Sequence, residues 1–577
     1  TRKEQYNAQH VETLPPAPKP YDNVTKDDQA RGYVRFIHSP DRDIQVNSQP
    51  TADEVATKGI ELSAAPGQYE DGCVSIFPLK DCGPMKAELS PLRGPAPTGE
   101  GPLIAPALPA DAAKLLVVRY KALNHDAVYT IEAKYLDDVP GAGLDVRKGV
   151  TRSLRVVVHV PDNAAPGTYA GAIKLTFADG KTDSVPVTLN VLPIKLDEVN
   201  FPMGIFCMAP AVNYPGLAQG EDAYAPWKDM IDDAKAHGMT SMDLGMSMGL
   251  TKIDSGKAVI DFSQADRLME FAKAAGFKQE LMGYCMQTGL PLRPDGDAAD
   301  GVPRGNVAGA SFAAAVRAYF DAYKAHAKQK QWLPISVCGD DEFLVHPGGS
   351  PEKLGGFYKA LRDNAPGVDF NAVDSIYPDQ HPELIPAYAK MLSEIDTWGA
   401  GMHSPKLAEL ARKNSKRLWL YNTGLNRFTF GTYMFFARKK YDVTGFFQWS
   451  YGGGGTYNNQ YLASHRESFF GVVMPSSHGL RPTIIWERIR AGATDHRYLE
   501  TAWNLIQKAK AAGKGADEAK ALEKVITDTF AKLTFGKPDA DAVAGFDTAS
   551  NPMVPAQMTA FRKALAQGII KLQDATR

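Results

Sequence analysis

Apolar and polar positions along this chain follow two different periods, and the change of period divides it. Between residues 30 and 197 short apolar runs alternate with polar positions at period two. Examples are Tyr33-Val34-Arg35-Phe36-Ile37, Cys73-Val74-Ser75-Ile76-Phe77, Leu115-Leu116-Val117-Val118-Arg119-Tyr120 and Ser153-Leu154-Arg155-Val156-Val157-Val158-His159-Val160. Ala172-Ile173-Lys174-Leu175-Thr176-Phe177 and residues 183–192 follow, separated by the turn Ala178-Asp179-Gly180. Short strands punctuated by turn residues predict a β-sandwich.

From residue 198 the pattern changes. Apolar runs at 203–208, 241–246, 279–285, 334–342, 370–374, 397–403, 417–422 and 443–451 read as strands. Stretches with helical spacing stand between them, at 225–237, 264–275 and from Ser311, where Phe312, Val316, Tyr319 and Tyr323 recur on one face. Eight strand–helix units over residues 198–500 predict a (β/α)8 TIM barrel, an α/β fold. A doubly wound sheet would alternate in the same way, but no G-x-G-x-x-G follows the first strand. Residues 1–29 are polar and Pro-rich and predict an extended arm. Residues 501–577 predict C-terminal helices at 516–532 and 555–573. The expected order is therefore arm, sandwich, barrel and helical region. The Ala-Pro-Gly-Thr-Tyr-Ala-Gly stretch at 165–171 fits a bacterial Ig-like accessory module with a supporting role.

Composition narrows the function classes. A formal net charge of -2 gives no field to recruit nucleic acid or an anionic membrane. No apolar run reaches the roughly 20 residues of a membrane span. No CxxC or HExxH occurs, so neither a metal nor another cofactor is expected. Of the five cysteines, Cys73 and Cys82 could pair in an oxidising compartment, whereas Cys207, Cys285 and Cys338 fall in predicted strands as small buried residues.

The candidate chemistry lies at strand ends, where barrel sites collect. Asp341-Glu342 closes the fourth predicted strand. Carboxylates of this kind cleave glycosidic bonds. Adjacent strand residues point to opposite faces, so both acids can serve one site only if the strand bends or bulges, and Gly339 permits that. Asp340 reads as a turn residue behind the pair. Strands six to eight end in Trp398, His403, Tyr421, Asn422, Gln448, Trp449 and Tyr451, and Tyr284 lies at the end of the third. Aromatic faces beside amides suit a sugar, which offers C–H faces for stacking and hydroxyls for hydrogen bonds. Gly452-Gly453-Gly454-Gly455 then leads to Tyr457, Asn458 and Asn459, without the Lys-Ser/Thr of a phosphate loop.

One further segment, Trp486-Glu487-Arg488-Ile489-Arg490-Ala491-Gly492-Ala493-Thr494-Asp495-His496-Arg497-Tyr498-Leu499, resembles the W-E-x-x-R-x-G-x-x-D-x-x-Y-L signature of glycoside hydrolase family 123 and its relatives. With the sandwich and the strand-four Asp-Glu pair, the resemblance covers most of residues 60–500. It implies an exo-acting, retaining β-N-acetylgalactosaminidase that uses substrate assistance. Glu342 would be the acid and then the base. Asp341 would orient the 2-acetamido group, whose oxygen attacks C1. A tyrosine would hold that group, Tyr421 first, with Tyr284 and Tyr451 behind it. The acid would need a raised pKa. The family tends to have Pro after the pair; here Phe343 follows. The resemblance also implies a glycan substrate and an extracytoplasmic location, with any signal peptide outside this sequence. Two other readings stand beside it. One is a glycosidase for another sugar, pairing Glu342 with Asp374, Asp243 or Asp341. The other is an inactive carbohydrate-binding protein.

Overall fold

A computed structural model describes residues 11–94, 107–125, 128–207, 224–245, 248–283, 310–345, 348–401, 403–415, 417–452, 471–476, 479–536 and 553–577. The N-terminal strands are β1 (Val11–Thr13), β2 (Tyr33–His38), β3 (Ile60–Ala64), β4 (Tyr69–Pro78), β5 (Gly83–Leu89), β6 (Ala113–His125), β7 (Val128–Asp138), β8 (Leu144–Val146), β9 (Arg152–His159), β10 (Gly167–Phe177) and β11 (Thr182–Val191). They form a six-stranded sheet, ordered β1-β7-β6-β9-β4-β2, and a five-stranded sheet, ordered β3-β11-β10-β5-β8. Inward residues of both sheets, among them Ile76, Leu154, Val156, Val158, Ile173, Leu175, Val185 and Val187, form one apolar core. The β10–β11 hairpin turns where the sequence predicts it, with Gly180 at φ 81. Two short helices, α1 (Lys26–Arg31) and α2 (Ala52–Ala56), flank β2. Cys73 and Cys82, which could pair in an oxidising compartment, are both free in this structure. Cys73 lies on β4 in the larger sheet, and Cys82 donates to the Gly32 and Lys80 carbonyls instead.

The second unit is a seven-stranded parallel sheet. Its strands are β12 (Met203–Ile205), β15 (Leu281–Gly283), β16 (Ile335–Asp341), β17 (Asp369–Asp374), β18 (Thr397–Ala400), β19 (Arg417–Tyr421) and β20 (Val443–Gln448), in the order β12-β20-β19-β18-β17-β16-β15. A hairpin of β13 (Gly249–Asp254) and β14 (Lys257–Asp261) projects between β12 and β15. Helices α3 (Ala225–Ala236), α4 (Ser263–Ala274), α5 (Ala310–Lys330), α6 (Pro351–Asn364), α7 (Ile385–Leu392), α8 (Pro405–Asn414) and α9 (Met434–Tyr441) alternate with these strands. The sequence predicts eight sheet strands; among the described residues the second is only a bridge, Asp243 to Met282. That segment still touches both edges of the sheet, through Asp243 N to the Ile205 carbonyl (3.2 Å) and Met282 N to the Met242 carbonyl (3.3 Å).

Strand alternation separates two apolar layers. Leu418, Leu420, Phe446, Ala372 and Trp398 face the helices. Phe206, Met282, Val373, Trp419, Tyr421 and Phe447 form a separate cluster on the other face. Glycines make room for this inner layer. A Cβ at Gly445 would lie 2.4 Å from the Trp419 indole, and one at Gly204 2.5 Å from the Phe447 ring.

After a short hairpin of β21 (Val473–Ser476) and β22 (Gly479–Pro482), the 29-residue helix α10 (Ile484–Ala512) carries the signature through the expected boundary at residue 500. Helices α11 (Ala516–Phe530) and α12 (Pro555–Thr576) pack against it. Every fixed residue of the signature has a packing task. Trp486 stacks on His237 at 4.4 Å. Glu487 pairs with Arg490, whose guanidinium lies over the Tyr69 ring at 4.3 Å. A Cβ at Gly492 would meet the Arg427 carbonyl at 2.4 Å. Asp495 joins Arg427 and Arg562, Tyr498 donates to Gln68 Oε1 at 2.9 Å, and Leu499 is buried. The helix thus ties together the sandwich, the parallel sheet and α12.

Candidate active site

The strand-four acids lie where the backbone departs from a regular strand. β16 pairs with β17 in register up to Cys338–Asn371, then shifts, so that Asp340 stands beside Ala372 and Asp341 beside Val373. Gly339 is the extra residue. A Cβ there would press on Tyr358 Oη (3.0 Å) and Leu361 (3.2 Å) of α6. The bulge anticipated at Gly339 is present; bulges of this kind re-aim strand ends. The Asp341 backbone ends β16, and its side chain lies outside the described residues. Glu342 follows with φ 52, a left-handed conformation that costs a non-glycine residue energy. Its N–H donates to the Val373 carbonyl at 2.8 Å, which fixes the turn. Phe343 then enters the helix-facing core.

Glu342 and Tyr421 meet. The Tyr421 hydroxyl, at the end of β19, donates to Glu342 Oε1. Gly401 leaves space for that ring, since a Cβ would lie 2.6 Å from Tyr421 Cε1. Asn422 also has positive φ (49), and its Oδ1 accepts from Trp449 N at 2.9 Å. Trp449, half-buried, packs on the inner aromatic layer with its ring centroid 6.0 Å from that of Phe206. Glu342, Tyr421, Asn422 and Trp449 therefore gather at the C-terminal ends of the strands, with Phe206 and Phe447 beneath them.

Other expected site residues stand elsewhere. Trp398 is fully buried on the helix-facing side of β18, because strand parity turns it away from the inner face. Gln448 is also fully buried and its amide is committed to the protein: Oε1 accepts from Gly424 N (2.9 Å) and Nε2 donates to the Trp449 carbonyl (3.1 Å). It shapes the turn rather than meeting a ligand. Tyr451 is buried and its hydroxyl donates to Asp233 Oδ2 on α3 at 2.8 Å, which removes it as a holder of an acetamido group. His403 is enclosed by Tyr433 and Phe535, and burial depresses its pKa to about 3. Tyr284, Cys285, Tyr457, Asn458 and Asn459 lie outside the described residues. Among the described residues no group of three or more His, Cys, Asp or Glu is arranged for a metal ion.

Asp374 and Asp243, weighed as second carboxylates, both serve the backbone. Asp374 accepts from Leu344 N (2.6 Å) and Ser375 N (2.7 Å), and so holds the loop that follows Glu342. Asp243 accepts from Gly245 N at 3.0 Å. Sequence reasoning missed the Asp233–His237 pair. Its one signal was an acid and a histidine four apart near the end of α3, which lie together on one helix face.

Residues 225–502 match the catalytic domain of glycoside hydrolase 123. The chain is a glycoside hydrolase family 123-like protein. The structure of a family 123 glycoside hydrolase from Clostridium perfringens, studied for glycolipid glycan hydrolysis, shares the fold at TM-score 0.65 and 12% identity, covering 94% of this chain and 99% of that one. A termite-gut GH10 xylanase with a bacterial Ig-like domain scores only 0.32 at 12% identity, with 68% and 96% covered, and supports no argument. No curated protein matches the sequence. The family supports a glycoside hydrolase, and hence a glycan substrate. No helix among the described residues is long and apolar enough to cross a membrane.

Proposed function

We propose that this family 123-like hydrolase is a retaining exo-β-N-acetylgalactosaminidase that uses the substrate's own 2-acetamido group as nucleophile. The supporting observation is Glu342. It stands directly after Asp341, past a bulge at the end of β16, with its carboxyl on the Tyr421 hydroxyl. In this reading Glu342 protonates the leaving oxygen while the acetamido oxygen attacks C1. It then takes a proton from the water that opens the oxazolinium-type intermediate. Asp341 orients and polarises the acetamido N–H. Tyr421 holds Glu342 in place before substrate binds and, once Glu342 carries the proton, would turn its own O–H to the acetamido oxygen. Trp449 offers an aromatic face to the sugar ring.

Ordinary double displacement needs a second carboxylate about 5 Å across the ring. Asp374 and Asp243 are the described acids weighed for that part; Asp374 accepts from two backbone N–H groups and Asp243 from one. That favours assistance by the substrate. The Clostridium perfringens relative makes glycolipid glycans the first substrate class to try. We also read the sheet as a (β/α)8 barrel with residues 241–246 as its second strand, and the enzyme as extracytoplasmic.

Leaving-group dependence tests the two roles. Against an aryl β-GalNAc with a poor leaving group, Glu342→Gln loses about 10²–10⁴ in kcat. With a dinitrophenyl leaving group, which needs no proton, it recovers most of that loss. Asp341→Asn stays slow with both. If Glu342→Gln and Asp341→Asn respond alike to the leaving group, the division of roles is wrong.

A further inference from the structure

We infer that Asp233 and Tyr451 are positioning residues for sugar binding, through which the signature helix α10 sets the place of Trp449. This rests on the strand-end site described above. Tyr451 lies two residues beyond Trp449, immediately before the glycine run. Its backbone is fixed at both ends: Tyr451 N donates to the Phe206 carbonyl (2.8 Å), and its own carbonyl accepts from Val472 N (2.9 Å). Phe206 N in turn donates to the Gln448 carbonyl (2.9 Å), so the strand pairing continues on both sides of Trp449.

The side chain adds a third anchor. Asp233 Oδ2 accepts from the Tyr451 hydroxyl (2.8 Å) and from the Trp486 indole N–H (2.9 Å). Asp233 Oδ1 lies 3.1 Å from His237 Nδ1. Both carboxylate oxygens are therefore in use, which fixes the carboxylate plane. Burial opposes ionisation of Asp233, but His237 and the three hydrogen bonds to its carboxyl hold its pKa below the usual range. Trp486 opens α10, where Thr483 caps it and also donates to the Val472 carbonyl at 2.7 Å. Beyond His237 stand Glu487 (3.4 Å), Arg490 and the Tyr69 ring of the sandwich. Packed contacts thus run without a break from the sandwich to the segment that presents Trp449. The Asp233–Tyr451 anchor therefore fixes the segment that carries Trp449 from its C-terminal side. An aromatic face held in one place spares the sugar the cost of ordering it on binding, so such an anchor bears on substrate affinity from a distance.

The test uses the full chain with Tyr451→Phe, Asp233→Ala and Asp233→Asn. In the free protein, hydrogen exchange at amides 449–451 should speed up in Tyr451→Phe and Asp233→Ala, while amides 418–421 of β19 stay unchanged. On an aryl β-GalNAc, KM should rise about tenfold, the scale of one charge-assisted hydrogen bond, with kcat nearly unchanged. Asp233→Asn keeps an oxygen for Tyr451 and Trp486 and should recover most of the KM. Unchanged exchange at 449–451 would overturn the inference. So would a fall in kcat at constant KM that is equal in Asp233→Ala and Asp233→Asn, because that marks a merely structural role. A wild type inactive on this sugar would sink the substrate assignment alone, and the exchange rates would then decide the positioning.

Discussion

At the N-terminal ends of the parallel strands, Arg417 of β19 bridges Glu280 and Asp369 and donates through Nε to Thr397 Oγ1 at 2.8 Å. At the C-terminal ends, Glu342 has the Tyr421 hydroxyl, and no cation among the described residues pairs with it. The inner aromatic layer lies between. The difference concerns what a carboxylate is left free to do. Below, burial raises the Glu280 pKa while Arg417 opposes that shift, and the pairing keeps both acids committed to closing the strand bundle. Above, Glu342 meets the Tyr421 hydroxyl rather than a guanidinium, so no fixed cation is tied to the carboxyl that the proposed reaction uses. Charge neutralised by guanidinium belongs to stability; charge held by a neutral donor is available for chemistry.

Substitutions at the two ends should separate these roles. Tyr421→Phe removes the neighbour of the acid and should lower kcat/KM by about 10–100-fold, the value of one hydrogen bond to an ionised group, with little change in denaturant midpoint. Arg417→Ala should do the reverse. It leaves Glu280 and Asp369 uncompensated and should cost about 2 kcal/mol of unfolding free energy, less than a fully buried pair because these groups are partly solvated. The refolded protein should keep its kcat. Similar losses of activity in the two variants would erase the contrast.

A smaller effect divides the two tryptophans. Trp449→Ala should raise KM about tenfold by removing an aromatic face. Trp398→Phe lies in the helix-facing core and should lower stability by about 1–3 kcal/mol without moving KM, as core reshaping does. Steady-state kinetics beside chemical denaturation reads both.

Strand periods and helix spacing made both units legible in the sequence. The bulge at Gly339 was legible too, since two neighbouring acids cannot share a face without one. The orientation of Trp398, Gln448 and Tyr451 was not. Position near a strand end does not give parity, and parity past the end of β20 depends on hydrogen bonds from Phe206 and Asn422, far off in the chain. The second strand reads as an apolar run, yet among the described residues it makes only one bridge and a few backbone hydrogen bonds. Its neighbour β12 is itself only three residues long. The signature carries the family resemblance, and its sequence does not say what its residues touch. It proved to be a packing helix, because a buried Trp, Arg, Gly or Asp reads the same in one dimension whether it touches a sugar or another domain.

The smallest expected effect lies outside both ends. Burial depresses His38 to about 4 and His403 to about 3, from an ordinary 6.5. A histidine with a depressed folded pKa contributes stability that is complete above 6.5 and is lost as pH falls through the window below it. The Tm should therefore drop by a few degrees between about pH 6.5 and pH 4, partly abolished by His38→Asn. A catalytic pH profile measured in the same range should not follow that decline. If it does, acid inactivation is unfolding rather than titration of the site.

The most direct measurement compares hydrolysis of an aryl β-GalNAc with that of the matching aryl β-galactoside, which differs only in carrying a hydroxyl in place of the 2-acetamido group. Substrate assistance at Asp341-Glu342 predicts rapid release from the first and a loss of at least about 10³-fold on the second, because the nucleophile itself is gone. Equal rates on the two sugars would contradict it and return the search to a second carboxylate on the protein.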